Sequence, residues 1–203
     1  MCIILNSVRW LTKIAFFLLI SCANAPNSSK QACSNKSLSN TDISVVIHVR
    51  SLSDLERASY LMEEPAKVFL SHGIKIHIDK IVFSNQSSIE LDIVGTPDFR
   101  REGFEEDEKV HIFFINTLYG DDDDELYGLH VKTANRCKTY ILIPDNTDIL
   151  TIAHEIGHEY GLSHSHDRNN VMESGNRLEG ATFTHSQIEI MKKEISKKNA
   201  ECS

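Results

Sequence analysis

The sequence predicts an α+β domain of about 160 residues, large enough for one hydrophobic core. Two observations carry that reading. Runs of β-branched and alternating apolar residues recur along the chain as far as residue 143. Helical spacing appears after the first run and again in the last quarter, where one helix is rich in histidine. The expected order is β-α-β-β-β-β-α-loop-α.

The residues from Ile43 to Val49 alternate well enough for a strand. Ser53-Asp54-Leu55-Glu56 has the pattern of a capping box opening a helix. Leu55, Ala58, Leu61, Met62 and Ala66 then keep helical spacing. Pro65 should kink or restart that helix, because it has no N–H to give to the helical ladder. Gly73 should close it. Residues 74–78, 88–94, 110–115 and 139–143 read as further strands by alternation or β-branching. Pro144-Asp145-Asn146-Thr147 is a turn leading into the histidine-rich helix. There is no internal repeat.

That helix carries the chemistry. Residues 154–164 read HEIGHEYGLSH, the spacing H-E-x-x-H-x-x-G-x-x-H. A step of four residues is slightly more than one helical turn, so His154 and His158 share a face and can grip one metal ion. Neutral imidazole nitrogen is a good zinc ligand. Glu155 lies about 100° round the helix from His154, so it can address a water at the metal without binding the metal. Gly161 can take the backbone angles that end a helix, after which the chain brings in His164 as a third ligand. Three protein ligands leave one position open, which suits catalysis better than a closed structural site. The implied reaction is hydrolysis by an activated water, with Glu155 as general base.

The stretch HEIGHEYGLSHSHDRNNVM extends from that motif to Met172. It resembles the metzincin metalloproteases: a long zinc signature followed by a methionine turn. Within that clan the string 161–165, Asp167 and the spacing to Met172 look most like the matrixins. The resemblance covers roughly residues 147–190, since Thr184-His185-Ser186-Gln187-Ile188 is similar to the start of the family's C-terminal helix. It implies a zincin fold: a twisted mixed sheet, a backing helix, a central zinc helix, a Met turn and a C-terminal helix. It also implies His154, His158 and His164 as zinc ligands, Glu155 as base, Met172 as the packed floor, and protein or peptide substrates. In that family the segment after the Met turn walls the pocket for the residue past the scissile bond. Here that segment is 173–183, and Phe183 is the expected wall. His166 reads as a surface residue near the cleft, and Asp167 as a hydrogen-bond partner shaping the loop.

Two departures narrow the likeness. No Pro-Arg-Cys-Gly-Val propeptide switch is present, and Glu173 and Ser174 stand where astacin-like enzymes place a tyrosine. The chain therefore resembles a minimal, bacterial-type matrixin-like enzyme. The competing reading is an inactive, lipid-anchored zincin that binds a partner through its cleft.

Residues 1–21 read as a signal segment, with Arg9 and Lys13 around a short apolar core at 14–20. Leu19-Ile20-Ser21-Cys22 resembles a bacterial lipoprotein box, with Cys22 as the lipidated residue. Cleavage after Ala23-Asn24-Ala25 is the rival, which Pro26 disfavours. Residues 22–40 are rich in Ser, Asn and Lys and read as a flexible tether. The catalytic domain is then 41–203, extracytoplasmic and held on a membrane by acyl chains. Losing residues 1–21 removes two positive charges and no acidic ones, taking the net charge from −8 to −10. Such an acidic protein does not read as a nucleic-acid binder. A monomer is expected. Cys33, Cys137 and Cys202 remain for one disulfide, with the pair open. The acidic runs 105–108 and 121–125 could bind calcium, but neither has regular ligand spacing, and a solvated loop is favoured.

Overall fold

The computed structural model describes residues 39–83, 109–119, 124–132, 135–175 and 177–202. The chain divides into two units, 1–37 and 38–203. The expected signal segment, Cys22, Cys33, most of the tether, strand 88–94 and the acidic run 105–108 lie outside the described residues. Of the second acidic run only Asp124 and Glu125 are described, and Glu125 accepts a hydrogen bond from Asn146.

Among the described residues eight elements follow in order: β1 (Ile43–Val49), α1 (Leu52–Ser71), β2 (Ile76–Phe83), β3 (Val110–Phe114), β4 (Leu129–Lys132), β5 (Thr139–Ile143), α2 (Thr151–Glu159) and α3 (His185–Glu201). The five strands form one sheet in the order β2-β1-β3-β5-β4. β4 pairs antiparallel to β5, and the other pairings are parallel. This is the mixed sheet of the predicted α+β fold.

One face of the sheet builds the main core. Ile43, Val45 and Ile47 from β1, Ile112 and Phe114 from β3, and Ile141 and Ile143 from β5 meet the helices there. α1 contributes Ala58, Leu61, Met62 and Phe69; α2 contributes Ile152, Ala153 and Ile156; α3 contributes Ile188, Met191 and Ile195. The apolar stripes have the helical spacing that one-sided burial requires. A smaller cluster of Phe113, Ile115, Leu118 and Leu142 forms separately, on residues that alternate with those of the main core.

The first helix differs from expectation at two points. Its N-cap is Ser51, whose hydroxyl accepts from the Asp54 N–H, so the cap lies two residues before the Ser53 box. The helix also runs through Pro65, which is buried within it rather than marking a restart. Burial of Met62, Pro65 and Phe69 on one side outweighs the lost backbone hydrogen bond. Gly73 follows at φ 75°, a left-handed conformation that suits glycine. The strand β4 was not expected, since four residues after an acidic loop give too short an alternation to stand out. Cys137 and Cys202 form a disulfide that ties the turn between β4 and β5 to the end of α3.

Among the described residues, no helix is long and apolar enough to cross a membrane.

Candidate metal centre and cleft

α2 ends as its sequence demands. Tyr160 is the C-cap and Gly161 follows at φ 87°. The Leu162 N–H bonds Gly157 O at 3.0 Å and the Gly161 N–H bonds His158 O at 3.2 Å, which together make a Schellman motif. Leu162 is thereby buried, and the chain reverses to present His164.

The three histidines converge. One ring nitrogen from each of His154, His158 and His164 lies within 4.8 Å of the other two. His154 is buried, His158 half-buried and His164 exposed. The tautomers follow from the backbone. His154 Nδ1–H donates to Val171 O and His158 Nδ1–H donates to Leu162 O, each at 2.9 Å. A carbonyl can only accept, so both neutral rings present a bare Nε2. Those two Nε2 atoms face each other at 3.0 Å. Two lone pairs cannot hydrogen-bond, but both can point at one cation. Ligands at about 2.0–2.1 Å around a tetrahedral ion stand about 3.3–3.4 Å apart, so this donor set fits zinc. Burial holds His154 down to about 4, which keeps its ring neutral near pH 7.

Glu155 sits beside this triad and is 6 % exposed. Burial pushes its carboxyl up to about 7, against the Arg177 charge and a hydrogen bond from the backbone of His130. A Cβ on Gly128 would stand 2.8 Å from Glu155 Oε1, so only glycine lets this segment approach the carboxylate. Glu155 and the three histidines line an open cleft of about 640 Å³, together with Tyr127 and His130.

Met172 is fully buried beneath α2. A Cβ on Gly157 would overlap its sulfur, so the x-x of H-E-x-x-H is not free at its second position. Asn170 shapes the turn. Its side-chain oxygen accepts the Met172 N–H at 2.9 Å, and its amide donates to Gln187 Oε1 at 2.8 Å. Gln187 also closes the capping box of α3 with Thr184, so the start of α3 and the Met turn share one anchor. Asp167 shapes its loop, accepting from the Asn169 N–H, and His166 is exposed. Phe183 lies elsewhere than expected. It is buried in the main core with its ring 5.4 Å from that of Phe69, and it does not line the cleft. An aromatic ring with a hydrophobic core within reach goes there. Among the described residues of segment 173–183, Ser174 and Arg177 reach the cleft.

Arg177 was not apparent in the sequence. Its guanidinium donates to Glu173 O at 3.0 Å and Thr151 Oγ1 at 3.2 Å, and it pairs with Asp148. At the far end of α2 a second unexpected group is buried. Glu159 accepts from His130 Nε2–H at 2.7 Å and pairs with Lys198 of α3. Burial raises the Glu159 carboxyl, but these two partners outweigh it and hold the group below the usual carboxylate range.

The mixed sheet, the helix with its three converging histidines and the buried methionine beneath them together define a metzincin-like zinc metallopeptidase. The profile of the matrixin peptidases matches residues 68–192, more than half of the chain, and the chain belongs to that family. The match begins within α1, well upstream of the stretch whose motifs are legible.

Solved structures are similar in fold at low identity. Metalloproteinase-II from Bacteroides fragilis is 12 % identical with a TM-score of 0.51, over 76 % of this chain and 53 % of that one. The chain thus spans about half the length of the Bacteroides protein. Archaemetzincin from Methanopyrus kandleri is 14 % identical with a TM-score of 0.49, over 76 % of this chain and 96 % of that one. A zinc-dependent peptidase from Methanocorpusculum labreanum is 16 % identical with a TM-score of 0.44, over 73 % and 99 %. No curated protein matches the chain.

Proposed function

We propose that this peptidase is an extracytoplasmic zinc endopeptidase in which His154, His158 and His164 hold the metal and Glu155 is the general base. The observation that carries the reading is the pair of bare Nε2 atoms facing each other 3.0 Å apart, beside a buried carboxylate in an open cleft. A zinc ion held by these three imidazoles would supply Lewis acidity toward the scissile carbonyl and the attacking water.

The chain's own groups do the rest. The backbone carbonyls of Val171 and Leu162 orient two imidazoles so that their Nε2 atoms serve as ligands. Glu155 takes a proton from the attacking water and delivers it to the departing amine. The peptide bond is replaced by a carboxylate and a free amine, with no covalent enzyme intermediate. Met172 supports the helix from below through its contact with Gly157.

The proposed location rests on the N-terminal pattern. Residues 1–21 are the signal, Cys22 carries the lipid, and 22–40 tether a monomeric domain at 41–203 to the membrane. Release of a Cys22→Ser protein from the membrane fraction would support this, and full retention would sink it.

Glu155→Gln tests the catalytic assignment. It keeps the size of the side chain and removes the base. Zinc content and folding should stay near wild type, while hydrolysis of a quenched peptide falls by about 10²–10⁴-fold. A variant that keeps its zinc and its rate would remove Glu155 from the role. A wild-type protein that holds zinc and cleaves no peptide would instead be a binding module.

A further inference from the structure

The cleft is bounded on one side by β4, one of the two edge strands of the sheet among the described residues. Among the described residues β4 pairs with β5 alone, and it packs against α2. Three side chains meet there, each from a different element. Glu159 comes from the last turn of α2, His130 from β4 and Lys198 from α3. Their side chains are 8, 6 and 13 % exposed. His130 Nε2–H donates to Glu159 Oε2 at 2.7 Å. The Lys198 ammonium bonds Glu159 Oε1, and it reaches Thr139 Oγ1 of β5 at 2.9 Å. Both carboxylate oxygens are used, and one positive and one negative charge cancel.

The residue just before β4 also comes close to Glu155. The backbone of His130 helps to hold the Glu155 carboxyl down against burial. Gly128, two residues earlier, passes so close that any Cβ would press on Glu155 Oε1. Glu155 and Glu159 are one helical turn apart on α2. The segment 128–130 therefore meets α2 twice, by the close approach of Gly128 to Glu155 and through the His130 imidazole at Glu159.

We propose that Glu159, His130 and Lys198 form a buried clamp that holds β4 at a set distance from α2 and so positions Glu155 toward the reacting water. The proposal rests on Glu155 being the base. Glu159 and Lys198 lie outside the cleft lining, and His130 lines it with its imidazole given to Glu159, so the three act as positioning residues through α2 and β4. Their effect should fall on turnover rather than on zinc loading, because the imidazoles that hold the metal are oriented by Val171 and Leu162.

The test compares Lys198→Met, Lys198→Arg and His130→Gln in the zinc-loaded protein. Measured together are zinc content, thermal midpoint, kcat and KM on a quenched peptide, and hydrogen exchange at the His130 amide. Lys198→Met should keep its zinc and its KM within about threefold, while kcat falls by about 10- to 100-fold, the scale of a 1 Å misplacement. Lys198→Arg should recover most of the loss, since it restores the charge on Glu159. If Lys198→Met does not fold, His130→Gln answers the question, because it leaves the Lys198–Glu159 pair intact. Exchange at the His130 amide should quicken in both. Folded variants whose kcat stays within twofold of wild type would overturn the clamp, whatever their melting point. Should the wild type cleave no peptide, the proposed function fails separately, and amide exchange decides: faster exchange in the variants upholds the clamp, and unchanged exchange overturns it.

Discussion

The two ends of α2 are held by ions of opposite sign, and in different ways. At the N-terminal end Arg177 reaches Asp148, Thr151 and the carbonyl of Glu173, all within about 30 residues of sequence. At the C-terminal end Glu159 reaches His130 and Lys198, 29 and 39 residues away on two other elements. The first clamp ties the helix to the Met turn, whose Val171 carbonyl orients His154. The second ties it to the edge strand and α3. Damage at the first should disturb the metal, and damage at the second should disturb the base. A helix of nine residues is too short to be stable alone, so each end needs outside support.

The largest stability change should come from the disulfide behind the second clamp. Cys202 N–H bonds Lys198 O at 2.9 Å, so the Cys137–Cys202 link secures the turn of α3 that carries Lys198. The bridge closes a 65-residue separation, for which chain entropy gives about 4 kcal/mol. Cys137→Ser/Cys202→Ser should lose an amount of that order in denaturant unfolding and keep its zinc below the transition. Loss of zinc from the folded double variant would erase the distinction between the two ends.

Arg177→Met probes the first clamp and should cost less, about 1–3 kcal/mol for stranded acceptors. Its distinguishing mark is the metal. Groups that orient a ligand typically change affinity by about 10–100-fold, so competition with a zinc chelator should show weaker binding. If Arg177→Met binds zinc as tightly as wild type and Lys198→Met does not, the assignment of the two ends is reversed.

The smallest effect lies one layer further out. Arg57 bonds the Pro144 carbonyl and pairs with Asp145, bracing the turn that feeds α2, and Arg50 reaches Asp145 at 3.6 Å. Asp54 holds Arg50 through hydrogen bonds of 2.7 and 2.9 Å. Burial raises the Asp54 carboxyl, but the Arg50 bonds and the Arg57 charge outweigh it, so its folded pKa is lowered. A lowered pKa means stability that is fully present above the unfolded value near 4 and lost as pH falls through the folded value. Asp54→Asn should flatten the acid limb of a stability-against-pH curve below about pH 4, leaving the shares of Asp42 and Glu159, which are also lowered. An unchanged acid limb would show that this outer brace adds nothing.

Reading the chain in order, the sequence by itself determined what depends on local spacing. The step from His154 to His158 sets a common face, and Gly161 sets the helix end, because both follow from helical geometry and backbone sterics. Alternation marked β1, β3 and β5 for the same reason. Tertiary structure decided what depends on which elements meet. It paired Cys137 with Cys202, since three cysteines give no geometric preference until α3 docks. It sent Phe183 to the core beside Phe69, where an aromatic ring leaves water, and turned Ser174 and Arg177 to the cleft instead. It carried the helix through Pro65, because burial of one face exceeds the loss of one backbone bond. Glu159, His130 and Lys198 lie far apart in sequence, and each alone reads as an ordinary polar residue. Only the packing of α2 against β4 and α3 removes them from water and makes a mutual partner the sole alternative to an unpaired buried charge.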